Sequence, residues 1–392
     1  MRIADSINIA DLRAMARRRL PRVAFDYLDG GAEDEVTLAR NRAVFGRYAF
    51  VPRILSGAAP RDLSITLFGQ EQKVPWIVGP TGMNGIFWRD ADLALARAAE
   101  RAGAVYAHPT AANITLEGLA RSVNGTRWFQ LYPWGGRDVW ARLLERAHNA
   151  GCGALIVTVD SLLAGNRERD RRNQFAHQVR YTPRVLVDGL LHPRWLAGVW
   201  LRGGLPRFEN MAEFARPGAT AAELADYIRT MRNPDFSWDD LGWIRERWRG
   251  PFMIKGVLSA TDAERAAGMG ADGIVISNHG GRQLDGAIAT LDALPPIVDA
   301  VAGKLTVLVD SGFRRGSDIV KALALGAKAV VLGRAPLYGV AAAGEAGVAR
   351  ALEILREEAL RALTLLGCPH LQALSREYLR ATDVTPISST DS

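Results

Sequence analysis

The sequence predicts an α/β protein, a (β/α)8 barrel with an N-terminal helical extension and a long insertion between strands 4 and 5. Three observations predict it. From about residue 75 onward, short apolar runs of strand length alternate with longer segments of helical period. The strand-like runs number eight: Pro75–Val78, Ala104–Ala107, Trp128–Tyr132, Ala154–Val159, Phe252–Lys255, Gly273–Ser277, Thr306–Val309 and Ala329–Leu332. Eight such units close on themselves more readily than they open into a doubly wound sheet. Finally, no G-x-G-x-x-G follows the first run, so the fingerprint of an open dinucleotide-binding sheet is missing.

Taken in order, residues 1 to about 50 read as helical. Ile9–Ala16 has apolar residues at helical spacing, and Val23–Leu28 forms a second segment before Gly30 and Gly31 break the pattern. The barrel occupies about 75–365, within a single domain over 1–392. Asp92–Arg101, Ala141–Ala150 and Ser317–Leu325 keep the helical period between strands. Residues 161–240 interrupt the alternation, far beyond an ordinary connection. Inside that insertion Arg171–Arg207 holds seven arginines and one acid, Asp188, around an apolar run containing Trp195 and Trp200. Such a segment, roughly 177–215, suits the surface of an anionic membrane; a mobile lid or a subunit contact is the alternative. Tyr338–Leu366 reads as a long helical region packed on the barrel, and the Ser/Thr-rich tail after Asp383 as loose.

Composition narrows the function. With 392 residues, 48% hydrophobic and 23% charged, the chain can bury a large core as a soluble protein. Two cysteines, Cys152 and Cys368, make no disulfide framework, and no Cys/His cluster offers a metal site. The N-terminus lacks the apolar core of a signal peptide and no run of about 18 apolar residues occurs, so a cytoplasmic home is expected. Net charge +7 and a pI near 9.7 invite acidic substrates or anionic lipids. Nucleic acid is disfavoured for want of any recognised motif.

The chemistry concentrates in Ser277–Asp285, Ser-Asn-His-Gly-Gly-Arg-Gln-Leu-Asp, just past the sixth strand. Barrels present reactive side chains at that end. His279 is the side chain most easily tuned to take a proton near neutral pH, and Arg282 offers a planar fork for a carboxylate. Gly280 and Gly281 leave room for a flat ligand to approach the backbone. Past the seventh and eighth strands, Asp310-Ser-Gly-Phe-Arg-Arg-Gly316 and Gly333-Arg334 have the small residues and charge of a phosphate site. Lys255, ending the fifth strand, would be a buried lysine needing a partner.

The string Ser277–Asp285 resembles the signature of the FMN-dependent α-hydroxy-acid dehydrogenases and oxidases, and Phe25–Asp34 resembles that family's N-terminal motif. The resemblance covers about residues 5 to 380. It implies FMN as cofactor, with Asp310, Ser311, Gly312, Phe313, Arg314, Gly333 and Arg334 about the phosphate and ribose. Pro80, Thr81 and Gly82, with Gln130, Thr158 and Ser277, are implied along the flavin ring, and Lys255 beside its pyrimidine. An ammonium there stabilises negative charge on the reduced ring. Tyr27, Tyr132, Arg167 and Arg282 are implied as substrate contacts, His279 as the base, and Asp160 as the group stabilising its imidazolium. Pro109 departs from the pattern, which has serine there; proline brings neither hydroxyl nor N–H, so one flavin contact should be lost or replaced.

The expected activity is oxidation of an (S)-2-hydroxy acid to the 2-oxo acid, with flavin N5 as electron acceptor and a quinone or other acceptor downstream. Gly82 and Ala111 leave volume over the ring for a large apolar group, and Pro80–Trp88 and Gly165–Asp170 are most similar to the mandelate-oxidising members. Mandelate or a similar aromatic acid is therefore the expected substrate. L-lactate or another aliphatic acid, and a peroxide-forming oxidase, are the alternatives; a silent phosphate-binding barrel is the non-enzymatic one. Resemblance also implies peripheral contact with the inner face of the cytoplasmic membrane and a homo-oligomer, often a tetramer.

Overall fold

The computed structural model describes residues 2–57, 62–175 and 182–382. Its centre is a closed parallel barrel of eight strands: β1 (Trp76–Val78), β2 (Val105–Pro109), β3 (Arg127–Leu131), β4 (Leu155–Thr158), β5 (Phe252–Val257), β6 (Gly273–Ile276), β7 (Thr306–Asp310) and β8 (Ala329–Leu332). The ring closes where Val330 pairs with Trp76. Every predicted strand is present, with ends shifted by a few residues.

Side chains on a strand alternate between faces, so residues two apart share one. Ile77, Trp128, Ile156, Met253, Val275 and Leu308 form one buried apolar cluster that fills the barrel interior. The short antiparallel pair Ile65–Leu67 and Gln70–Gln72 adds Ile65 and Leu67 to that cluster, with Phe68 packed on Trp128. Two residues further along the same strands stand Gln130, Thr158, Lys255, Ser277 and Asp310. One periodicity therefore builds a dry floor and a polar layer above it.

Outside the barrel, helices such as Ala91–Ala102, Arg137–Asn149, Thr290–Val301 and Gly316–Ala324 bury Leu95, Leu143, Leu294 and Ile319 against the strands. The C-terminal helical region runs Arg334–Leu365 and bends at Ala343 and Gly344. An atom at the Gly344 Cβ position would lie 2.6 Å from the Trp88 ring, so only glycine lets the bend pack there.

The extension forms helices Ile9–Arg19, Arg22–Asp29 and Val36–Ala43. The first is capped by Asn8, whose side chain accepts from Asp11 N–H at 2.8 Å. Asp29 ties the extension to the barrel: its carboxylate accepts from Arg13 at 2.7 and 2.9 Å and from the Tyr338 hydroxyl at 2.7 Å. Burial opposes ionisation there, but Arg13 and Tyr338 hold the carboxyl down to about 2.

The insertion differs from expectation in two ways. It yields to the barrel before residue 240, because Trp238–Arg247, begun by a Ser237–Asp240 capping box, is the barrel helix that precedes β5. The helix Ala221–Thr230 before it returns to the barrel mouth. The tryptophans that suggested a membrane interface also turn inward. Trp195 is 5% exposed, donates Nε1–H to Ile86 O at 2.7 Å, and stacks on Trp200 at 5.8 Å. Leu190, Leu191 and Leu201 face outward instead, at 67%, 73% and 73% exposure. Of the segment 177–215, residues 177–181 lie outside the described residues, as does the tail from 383.

Candidate active site

The polar layer at the top of the barrel is one charge network. Lys255 Nζ donates to Ser277 Oγ at 2.8 Å and stands 3.3 Å from Asp310 Oδ2 and 3.6 Å from Asp160 Oδ2. Ser277 Oγ accepts from Lys255 and from His279 N–H at 3.0 Å, and donates to Asp310 at 2.9 Å. Burial penalises the Lys255 ammonium, but Asp160 and Asp310 outweigh it and raise its pKa. The buried lysine thus has the partners it needs.

His279 follows β6 with φ +57, a left-handed conformation that costs a non-glycine residue about 1 kcal/mol or more. That backbone aims the ring at Asp160, whose Oδ1 lies 2.7 Å from Nδ1. A carboxylate there keeps the proton on Nδ1, leaving Nε2 unprotonated and able to accept. Tyr132 OH, 3.3 Å away, donates to Nε2. Burial pushes the imidazole below its ordinary value; Asp160 opposes this, while Lys255 and Arg167 reinforce it. Asp160 is itself disfavoured by burial, yet His279 and Lys255 bring it down to about 2. Near neutral pH the pair is a neutral imidazole on a carboxylate.

The two glycines after His279 also meet parts of the chain remote in sequence. An atom at the Gly281 Cβ position would lie 2.6 Å from Leu38 N, and one at Gly280 would meet Arg334 Nη1 at 2.8 Å. They admit the extension and an arginine rather than only a ligand.

Above the network opens a cavity of about 720 Å³. His279, Tyr132, Tyr27, Arg167, Arg282, Lys255, Gly82 and Ala111 all line it, as do Pro80, Thr81, Asp310, Ser311, Gly312, Phe313, Arg314, Gly333 and Arg334. Arg282 Nη1 donates to Tyr27 O and Gly30 O at 2.7 and 2.8 Å, with its guanidinium over the Tyr27 ring. Arg167 Nε donates to Arg282 O at 3.3 Å. Arg334 is fixed by Leu28 O, Gly280 O and Gly30 O; burial and then Arg282 lower its pKa to about 9. Gly82 and Ala111 face each other so closely that a Cβ at Gly82 would lie 2.8 Å from that of Ala111.

Four of the expected site residues do not line the cavity. Asp160 stands behind His279, and Ser277 beneath Lys255. Gln130 donates Nε2–H to Thr158 Oγ1 at 3.0 Å, which leaves Gln130 Oε1 buried with no partner. Pro109 closes β2, its carbonyl taken by Asn210 Nδ2 at 3.2 Å, and the hydroxyl of the neighbouring Thr110 has its proton committed. That hydroxyl donates to Gln130 O and accepts from Tyr132 N–H. Sequence reading missed Trp134, Asp170, Phe208 and Arg232 as lining residues. Asp170 sits one helical turn past Arg167, a spacing that was visible; the other three had no local signal.

A family model described as FMN-dependent dehydrogenase matches residues 16–381. The chain belongs to that family. It is 44% identical to the (S)-mandelate dehydrogenase of Pseudomonas putida over 385 residues, 98% of this chain and 96% of that one. It is 40% identical to the L-lactate dehydrogenase of Yersinia pestis over 95% of this chain and 98% of that one. Among solved structures, one described as the monotopic membrane protein (S)-mandelate dehydrogenase superposes with TM-score 0.93 at 42% identity, covering 96% of this chain and 100% of that one.

The cofactor that the family requires suits what the cavity offers. The Lys255 ammonium lines the cavity, and in the same polar layer Gln130 Oε1 is buried without a partner, which suits a ring with a polar edge. At the far end, nothing lies within 4 Å of a Cβ built on Gly333, and Arg314 and Arg334 border that space as a phosphate would require.

Proposed function

We infer that the protein oxidises an (S)-α-hydroxy acid with an aromatic side chain, mandelate or a close analogue, to the α-keto acid. The observation that carries this reading is the His279 Nδ1–Asp160 contact, which makes Nε2 the accepting nitrogen, at a cavity that also holds Arg167 and Arg282. FMN, when bound, supplies the two-electron acceptor. Arg314, Arg334, Gly312 and Gly333 would hold its phosphate end and Lys255 its polar ring edge, with Gln130 and Thr158 in the layer around Lys255. Arg167 and Arg282, helped by Tyr27, clamp the substrate carboxylate and orient the α-carbon. His279 Nε2 takes the substrate proton, and Asp160 stabilises the resulting imidazolium without itself being protonated. Tyr132 holds the ring and the substrate oxygen in line.

The aromatic preference has support beyond the relatives' names. Trp134, Phe208, Phe87 and Phe175 all face the cavity, a lining that rewards a phenyl group over a methyl. Anaerobic visible spectra test the reading: mandelate should bleach the flavin band of the purified protein quickly and lactate slowly. An unchanged spectrum with both acids would refute it.

The electrons then pass to a quinone at the membrane, on which the protein rests from one side. Leu186, Val187, Leu190, Leu191 and Leu201 are exposed on the insertion, beside Arg194 and Arg202. No helix among the described residues is long and apolar enough to cross a membrane. The relative described as a monotopic membrane protein supports the same mode of attachment.

A further inference from the structure

One cation in the cavity has no task in the reaction just described. Lys255 is paired with Asp160 and Asp310, Arg229 with Asp226 at 3.1 Å, and Arg171 donates to Asn166 Oδ1 at 2.6 Å. Arg282 and Arg334 are held by backbone carbonyls of the extension. Arg232 lines the same cavity, yet no carboxylate or carbonyl among the described residues takes its guanidinium. The carboxylates that line the cavity are engaged elsewhere. Asp310 stands against Lys255, and Asp170, raised by burial, is opposed by Arg282 and Arg167.

The chain fixes which end of the cavity Arg232 serves. Met231, the residue before it, is buried, and its carbonyl accepts from Gly135 N–H at 2.6 Å. That bond fastens the end of helix Ala221–Thr230 to the loop that follows Tyr132 and Trp134. Burial presses against the Arg232 charge, and after it the groups that act on this guanidinium are Arg167, Tyr132 and Tyr27. Arg167 and Tyr27 are assigned above to the substrate carboxylate, and Tyr132 to the substrate oxygen. Arg167 in turn donates to Arg282 O at 3.3 Å, and Arg282 lies over the Tyr27 ring. The three arginines therefore gather about one end of the cavity.

A half-buried guanidinium facing another is costly unless an anion comes to it. The anion this end of the cavity takes is the α-carboxylate. We propose that Arg232 is a third cation for that carboxylate, a substrate-binding residue that holds the α-hydroxy acid and its α-keto product alike. The carboxylate keeps its negative charge before, during and after the oxidation. A cation that meets only this group binds substrate, transition state and product equally, so it lowers KM without speeding the chemical step. Arg167 and Arg282, by contrast, also orient the α-carbon. The inference rests on the reading of function given above and adds a residue to its carboxylate site.

Stopped-flow bleaching of the flavin by mandelate gives a dissociation constant and a limiting rate for the wild type, Arg232→Met and Arg232→Lys. Inhibition by benzoylformate and by its neutral amide adds the product side. A charge-assisted hydrogen bond is worth about tenfold or more in affinity. Arg232→Met should weaken mandelate and benzoylformate by about that factor each, and hold both the limiting rate and inhibition by the amide within about threefold. Arg232→Lys should recover part of the loss, and Arg232→Gln repeats the comparison should the methionine variant fail to fold. Equal weakening of acid and amide would make Arg232 a packing residue and overturn the proposal. Unchanged affinity for both acids, or a loss confined to the limiting rate, would overturn it too. If mandelate left the wild-type flavin unbleached, the functional reading would fall and this inference with it; if mandelate bleached it and Arg232→Met bound both acids as the wild type does, this inference alone would fall.

Discussion

Asp160 Oδ1 lies 2.7 Å from His279 Nδ1, and that contact decides which imidazole nitrogen faces the cavity. Asp160→Asn keeps the shape but removes the negative charge that stabilises the imidazolium. Flavin reduction by mandelate should slow about a hundredfold or more, since preorganised charge of this kind supplies several kcal/mol to a barrier. FMN should remain bound, as judged by visible absorbance after gel filtration. A loss within about threefold would remove Asp160 from the mechanism.

The same pair sets a pH dependence. His279 works as a base only when neutral, and burial, aided by Lys255 and Arg167, depresses its pKa below 6.5 despite Asp160. The kcat/KM for mandelate should therefore rise with pH along a limb below 6.5 and be flat above it. Asp160 favours the protonated ring, so Asp160→Asn should move the limb to lower pH. A shift to higher pH would contradict the assigned electrostatics.

Lys255 holds two carboxylates together in the barrel interior. Lys255→Met leaves Asp160, Asp310 and Ser277 crowded without a cation. Breaking a buried pair by removing one partner costs about 3–5 kcal/mol. Thermal unfolding of the apoprotein should show a Tm lower by about 5 °C or more. Lys255→Arg, which keeps the charge, should lose less.

The outward leucines of the insertion carry the proposed membrane contact. Replacing Leu190 and Leu191 together by glutamate removes apolar area and adds repulsion from anionic lipid. Each leucine buried in an interface contributes about 1.5–3 kcal/mol at most. Co-sedimentation with phosphatidylglycerol vesicles should fall about tenfold or more, while flavin reduction in solution continues. Undiminished sedimentation would move the contact elsewhere.

What the sequence revealed follows from periodicity. Eight apolar runs locate the strands, and counting two residues beyond Trp128, Ile156, Met253, Val275 and Leu308 brings Gln130, Thr158, Lys255, Ser277 and Asp310 into one layer. His279 and Arg282 were legible because they lie in one dense string past a strand end. Arg232 was not, since only the tertiary bond from Gly135 to Met231 brings it to the cavity, across nearly a hundred residues of chain. Nor could the sequence tell Trp195 from Leu191 in the insertion. Both are apolar, and which one turns inward depends on the partner at Ile86 O. The glycines after His279 stood out in the sequence as room for a ligand, whereas their close approach to Leu38 and Arg334 depends on parts of the chain remote in sequence.

The central claim is that the imidazole of His279 removes the substrate proton. Anaerobic stopped-flow mixing of mandelate with His279→Gln, loaded with FMN to the wild-type ratio, tests it most directly. Flavin bleaching should be slowed about a thousandfold or more relative to the wild type, the scale of losing a general base and its preorganised field. Bleaching at a rate near that of the wild type would contradict the account.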